Sequence, residues 1–257
     1  VAALTERVRL GTAVFVLGQR NPVLLAKTLA TLDVLSDGRV VAGFGIGNDE
    51  SGNAAFGIPT GRRVRRFEES LEVIRTLWAE GDATYHGGIF QLESTRMEPK
   101  PLQQPGPPVW FGGRVEPALR RAVRLGDGWM GPGSSSVNDF RDQVTMLRRL
   151  FEEENRDPAG FTISKRLYLA IDDNHDRALR RLKDWFTHVY GNGDLAAEVA
   201  VWGSPEACDE RIQEMITIGA QHLLLHPVFD FDEHLEALGR YATPVGWSED
   251  RIQGRSP

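Results

Sequence analysis

Apolar residues run almost unbroken from Val8 to Val16 and again from Arg39 to Ile46. Each run has the length of a strand covered by other structure on both faces. Between them, Val23, Ala26, Leu29, Ala30 and Leu32 recur at helical spacing over residues 22–35. Asn21-Pro22 opens that helix and Ser36-Asp37-Gly38 ends it. A second helix is predicted over 62–79, where Phe67, Leu71, Ile74, Leu77 and Trp78 share a face and the arginines and glutamates near its start read as a solvated one. Ala83–His86 and Ile89–Leu92, separated by Gly87-Gly88, predict a small hairpin. A proline-rich connector over 99–108 follows.

Four more strands are predicted at 108–111, 127–130, 161–171 and 221–225, with helices at 115–125, 136–155, 174–190, 205–218 and 232–241. Residues 1–7 read as the tail of an amphipathic helix, and 242–257 as a C-terminal tail. Strand and helix alternate throughout, so the fold class is α/β with a parallel sheet. The whole chain, 1–257, reads as one domain, with 83–92 as a hairpin insertion.

Composition narrows the functional classes. With 41% apolar and 26% charged residues the chain can bury a core. A formal net charge of -6 argues against nucleic acid as a partner, since that affinity needs clustered cations. The apolar runs fall short of the roughly 18 residues of a membrane span, so no membrane partner is expected. Cys208 is the single cysteine, which fits an intracellular, cytoplasmic protein. The six histidines include no pair with zinc-ligand spacing, so no metal is implied.

In parallel α/β folds, ligands meet the C-terminal ends of strands. That rule selects Thr12, Ala13 and Val14 on the first strand. On the second it selects Gly45 and Asn48 in GFGIGN, where glycines let a flat ring approach the backbone and an amide can meet its polar edge. The match of this segment to a dinucleotide fingerprint is superficial, because no helix opens on the last glycine. Gly112 and Gly113, between a strand and a helix, offer N–H groups to an oxyanion. His226 closes the last strand and is the best placed of the histidines for chemistry, with a structural role as the alternative.

The phrases VRLGTAV, TLATLDVLSDGR, GFGIGN, WFGG and DGW, taken in this order, resemble the luciferase-like monooxygenases. That family comprises flavin- and deazaflavin-dependent TIM-barrel oxidoreductases. The resemblance implies a TIM (β/α)8-type barrel with about six of eight βα units in this chain, so that about 50–70 further residues would precede Val1. It lays the isoalloxazine ring against the Thr12–Val14 strand end, often as a backbone bulge. It puts the cofactor phosphate between Gly112-Gly113 and the Gly131–Ser135 loop, with Ser134 and Ser135 as ligands. A plain helix cap at Ser135 or Ser136 remains open. Trp129, within DGW, is carried over as a cofactor contact, with core packing as its alternative. The cofactor is F420 (the deazaflavin) or FMN, with His226 favouring F420. The implied activity is monooxygenation or hydride transfer on a small-molecule substrate, by a chain for which a homodimer is allowed. Two other readings stay open: a TIM-barrel phosphate-ester lyase or isomerase, and a non-catalytic flavin-binding paralogue.

Overall fold

Asn21 accepts hydrogen bonds at Oδ1 from the amides of Val23 and Leu24, at 3.0 and 3.2 Å, and Pro22 occupies the first turn of the helix that follows. The sequence signal for a helix start therefore acts as read. The computed structural model describes residues 1–47, 53–54, 56–58, 61–79 and 81–241. Asn48 and the 242–257 tail lie outside the described residues. The chain divides into two compact units, 1–113 with 125–128, and 114–124 with 129–257.

In the first unit, β1 (Leu10–Gly11) and β2 (Phe15–Val16) both pair in parallel with β3 (Val40–Gly45), which pairs in parallel with β6 (Val109–Gly112). All six residues of β3 are buried, as an uninterrupted apolar strand requires. Helix α1 (Pro22–Leu35) buries Leu25, Ala26 and Leu29, and α2 (Arg63–Trp78) buries Phe67, Leu71, Ile74 and Leu77. The indole of Trp78 donates to the carbonyl of Ala26 at 3.0 Å, tying the two helices. Asp33, fully buried, accepts from the backbone and side-chain nitrogens of Gln103 at 2.9 and 2.7 Å. Gln103 also donates to Val40, so the proline-rich connector is stitched to both α1 and β3.

The hairpin of β4 (Ala83–His86) and β5 (Gln91–Thr95) is antiparallel, with its second strand two residues later than the pattern suggests. Its turn is held by Glu69, which accepts from the amides of Gly88, Ile89 and Phe90 and from Arg65. Burial pushes the Glu69 carboxyl up, but Arg65 and the three amides outweigh it and leave the pKa below the usual range. The start of α2 is thus not simply a solvated face, because one of its carboxylates is buried beneath the hairpin.

In the second unit, β8 (Thr162–Ile171) is the central strand. It neighbours β7 (Gly128–Gly131) and pairs in parallel with β10 (His222–Pro227) and with β9 (Val201–Gly203). The helices are α3 (Glu116–Leu125), α4 (Val137–Glu153), α5 (His175–Tyr190), α6 (Leu195–Val199), α7 (Pro205–Ile218) and α8 (Phe231–Tyr241). Phe140, Val144, Leu147 and Phe151 of α4 are buried in the phase that the sequence sets. Ala178, Leu182 and Phe186 of α5 form a core with Tyr168, Ala196 and Val199.

Two local expectations are corrected. The first strand is not continuous: β1 and β2 are separated by Thr12–Val14. Residues 1–7 contain a single 3-10 turn, Ala2–Leu4, rather than the end of an amphipathic helix. The short elements α6 and β9 occupy a stretch with no periodicity long enough to announce them.

Candidate functional site

The interruption of the first strand is a bulge. Gly11 pairs with Val41 and Phe15 with Phe44, so four residue steps on one strand face three on the other. Thr12 closes the gap, its hydroxyl donating to the Gly43 carbonyl at 2.8 Å and accepting from the Gly43 amide at 2.9 Å. The following peptide bond, Ala13–Val14, is cis. Val14 emerges with 37% of its surface exposed, immediately before β2.

Two of the selected glycines are explained by Val14. A Cβ on Gly45 would lie 2.8 Å from Val14 Cγ2, and one on Gly112 would lie 3.3 Å from Val14 Cγ1. Both glycines make room for this side chain, which sits over them. The structure thus gathers Gly45 and Gly112 around Val14, with Thr12 securing the bulge from the side. Thr12 has its hydroxyl hydrogen committed to Gly43, which gives it a positioning part. Gly113 ends the first unit's main segment, immediately after β6.

In the second unit the loop after β7 is organised from below by Lys165. This lysine is 1% exposed, and its ammonium donates to the carbonyls of Pro132 and Ser135 at 2.6 and 2.9 Å and to the Ser135 hydroxyl at 2.8 Å. Burial pushes the Lys165 amine down to about 7, against the weaker upward pull of Asp139. Three acceptors use all three ammonium hydrogens, so the arrangement fits the charged form. The cation lies under the loop with neutral oxygens as its hydrogen-bonding partners.

Ser135 is 2% exposed, bonded to Lys165 and to the Pro132 carbonyl, and so is an internal member of the loop. Ser134 is half-buried on the same loop. The helix cap is Ser136, which forms a capping box with Asp139 at the start of α4. A Cβ on Gly133 would lie 2.5 Å from the Tyr168 ring, so the loop needs glycine there to lie against that ring.

Trp129 is fully buried and stacks on Phe140 with centroids 5.8 Å apart. It is thus part of the packed core of the second unit.

His226 pairs with Tyr168 in the β8–β10 ladder. The guanidinium of Arg166 approaches its Nδ1 through Nε, at 3.2 Å, and Nη2. The rings of Tyr168 and Trp185 stand 5.3 and 6.3 Å from the imidazole. Burial first, and the Arg166 charge second, hold its pKa below the ordinary value of 6.5.

Sequence reasoning missed two of these residues. Lys165 and Arg166 stand in a largely buried strand, and a charge there must have a partner. That signal was available, although the partners lie 30 to 60 residues away. Among the described residues no cluster of His, Cys, Asp and Glu could hold a metal ion, and no helix is long and apolar enough to cross a membrane.

Comparison with known proteins gives this geometry a setting. Curated relatives align at 32–36% identity over 155–161 residues, and the aligned part of the chain spans about half of their own length, 42–55%. One is a phthiodiolone/phenolphthiodiolone dimycocerosates ketoreductase of Mycobacterium kansasii, 32% identical over 60% of this chain and 42% of that protein. Among solved structures, an F420-dependent secondary alcohol dehydrogenase in complex with an F420-acetone adduct superposes with a TM-score of 0.77 at 20% identity, over 88% of this chain and 76% of that one. The oxygenating constituent of 3,6-diketocamphane monooxygenase from Pseudomonas putida, in complex with FMN, superposes with a TM-score of 0.72 at 16% identity, over 93% and 78%. These likenesses give the chain the TIM-barrel type of α/β fold that the sequence resemblance implied. The model of the luciferase-like monooxygenase family matches residues 1–222, and the chain belongs to that family.

Proposed function

We propose that this protein is an oxidoreductase that binds F420 or FMN and acts on a small organic substrate. The observation that carries the reading is the bulge at Thr12–Val14. It leaves an apolar Val14 37% exposed, with its methyl groups seated on Gly45 and Gly112. An aromatic ring face is the ligand such a surface suits, and the family resemblance lays an isoalloxazine ring at this position.

Fit to the cofactor is tested separately in each unit. In the first, Val14 offers a ring face, with Ala13, Gly45 and Gly112 beside it. In the second, the Gly133-Ser134 backbone lies over the buried Lys165 ammonium, whose charge favours an anion at the loop. Gly113 and Asn48 are kept as further contacts on the resemblance alone. The cofactor when bound supplies the redox chemistry, and the protein supplies position, charge and dryness. Ketone reduction and alcohol oxidation, named for one relative and one structural neighbour, fit a hydride-transferring F420; oxygenation, named for the other neighbour, fits FMN.

The lyase or isomerase reading is disfavoured by Lys165. It is sealed from solvent with every ammonium hydrogen taken. Fluorescence titration of the purified protein with FMN, with F420 and with a sugar phosphate separates the readings. Saturable binding of one of the first two is expected. Binding of the sugar phosphate alone would overturn the proposal.

A further inference from the structure

The partner of His226 decides what the histidine can do. Arginine carries donors and no acceptor, so an imidazole nitrogen facing its guanidinium must present a lone pair. Nε and Nη2 of Arg166 both face Nδ1 of His226. The ring is therefore neutral, and its one hydrogen resides on Nε2. Among the described residues Nε2 has no hydrogen-bond partner, and the histidine is half-buried rather than sealed.

We infer that Arg166 is a positioning residue that fixes His226 as a neutral Nε2–H donor, so that His226 serves a ligand's acceptor oxygen, of the carbonyl or alkoxide type, and does not work as a general base. The only basic nitrogen of the neutral ring is spent on Arg166, and taking up a proton there would set imidazolium against guanidinium. An N–H on a ring with no charge of its own can stabilise negative charge growing on oxygen without first losing a proton. The groups that face the imidazole are the Arg166 guanidinium and the Tyr168 ring on β8 and Trp185 on α5. The phenol of Tyr168 is turned to Tyr190, with the two oxygens 2.5 Å apart, and Arg166 stacks over the Tyr168 ring at 4.8 Å. The guanidinium is thereby held on both its edge and its face, which is what a fixed donor to Nδ1 requires.

The substrate class rests on the proposed oxidoreductase reading; the tautomer does not. Nitrogen-15 NMR of the imidazoles in the cofactor-free protein tests the inference, with His226 assigned by comparison with His226→Gln. The protein should show the Nε2–H tautomer at pH 7 and a protonation midpoint below the ordinary histidine value. Arg166→Gln retains a donor to Nδ1 and removes the charge, so it should keep the tautomer and raise the midpoint. Arg166→Met removes both and should mix the tautomers. A protein with the Nδ1–H tautomer or an imidazolium at pH 7 would overturn the inference, as would an Arg166→Gln midpoint equal to the parent's. These readouts need no cofactor, so failure of the cofactor reading shows up separately, in the titrations.

Discussion

Thr12 spans the Gly43 peptide nitrogen and carbonyl with one hydroxyl, at 2.9 and 2.8 Å, and so replaces the backbone ladder where β1 and β2 part. Gly43 is buried, and without Thr12 its two polar groups would lack these partners in a region that water reaches poorly. A bulge of this kind is stable only if its orphaned groups are satisfied. The Thr12 hydroxyl thereby holds the bulge that carries Val14.

Thr12→Val keeps the shape and removes the hydroxyl, so it should cost about 2–3 kcal/mol of folding free energy, the usual penalty for buried polar groups left without partners. Thr12→Ser keeps the hydroxyl and should stay within about 1 kcal/mol of the parent. Urea unfolding followed by circular dichroism measures both. A Thr12→Val variant as stable as the parent would show that the two hydrogen bonds contribute nothing to the bulge.

Gly45→Ala places a Cβ 2.8 Å from Val14 Cγ2, and Gly112→Ala places one 3.3 Å from Cγ1. A β-branched valine has little rotamer freedom to retreat. Cofactor affinity should therefore fall about tenfold or more for Gly45→Ala, near 1.4 kcal/mol, and distinctly less for Gly112→Ala. Val14→Ala should relieve the clash, so the double variant Gly45→Ala/Val14→Ala should bind better than Gly45→Ala alone. Fluorescence titrations provide the cycle, and strict additivity would separate Gly45 from Val14.

The Lys165 amine has a folded-state pKa of about 7, lowered from 10.5. Above 10.5 the folded and unfolded states are both neutral and the group contributes no pH dependence. As pH falls towards 7, the unfolded chain takes up the proton first and gains on the folded one; below 7 the difference is constant. Stability should thus rise from pH 7 towards pH 10 through this group, by up to a few kcal/mol. Lys165→Met should flatten that slope in urea unfolding across pH 6–10. An unchanged slope would show that Lys165 is protonated throughout.

The same lysine should matter to the ligand's phosphate. FMN carries one and riboflavin does not, so Lys165→Met should weaken FMN by roughly three- to thirtyfold and leave riboflavin within about twofold, as loss of one partly screened charge implies. Calorimetry on the two ligands checks this, and an equal loss for both would place the phosphate elsewhere.

Much of this was legible in the chain. Asn21-Pro22 and Ser36-Asp37-Gly38 bracket α1 because caps and helix-incompatible residues act locally, and Gly87-Gly88 marks the hairpin for the same reason. The apolar strands read clearly because strands covered on both faces tolerate little else. The bulge was not legible from the residues alone: Val8–Val16 reads as one strand, and whether one residue is extra depends on register with β3, some 30 residues on. Nor did composition reveal that Ser135 faces inward to Lys165 while Ser136 caps the helix, since three consecutive serines offer the same chemistry and only packing distinguishes them. Trp129 carried a recurring motif into the candidate site, although its burial against Phe140 gives a sufficient reason for tryptophan there.

The central claim is that the apolar surface at Val14 receives the ring of F420 or FMN, and titration of both cofactors against the parent and Val14→Asp tests it most directly. The parent should bind at least one cofactor saturably. A Val14→Asp variant that retains the parent's circular dichroism should lose at least about a hundredfold in affinity, because a carboxylate would meet the ring face where a hydrocarbon did. A parent that binds neither cofactor, or a folded Val14→Asp variant that binds as tightly as the parent, would contradict it.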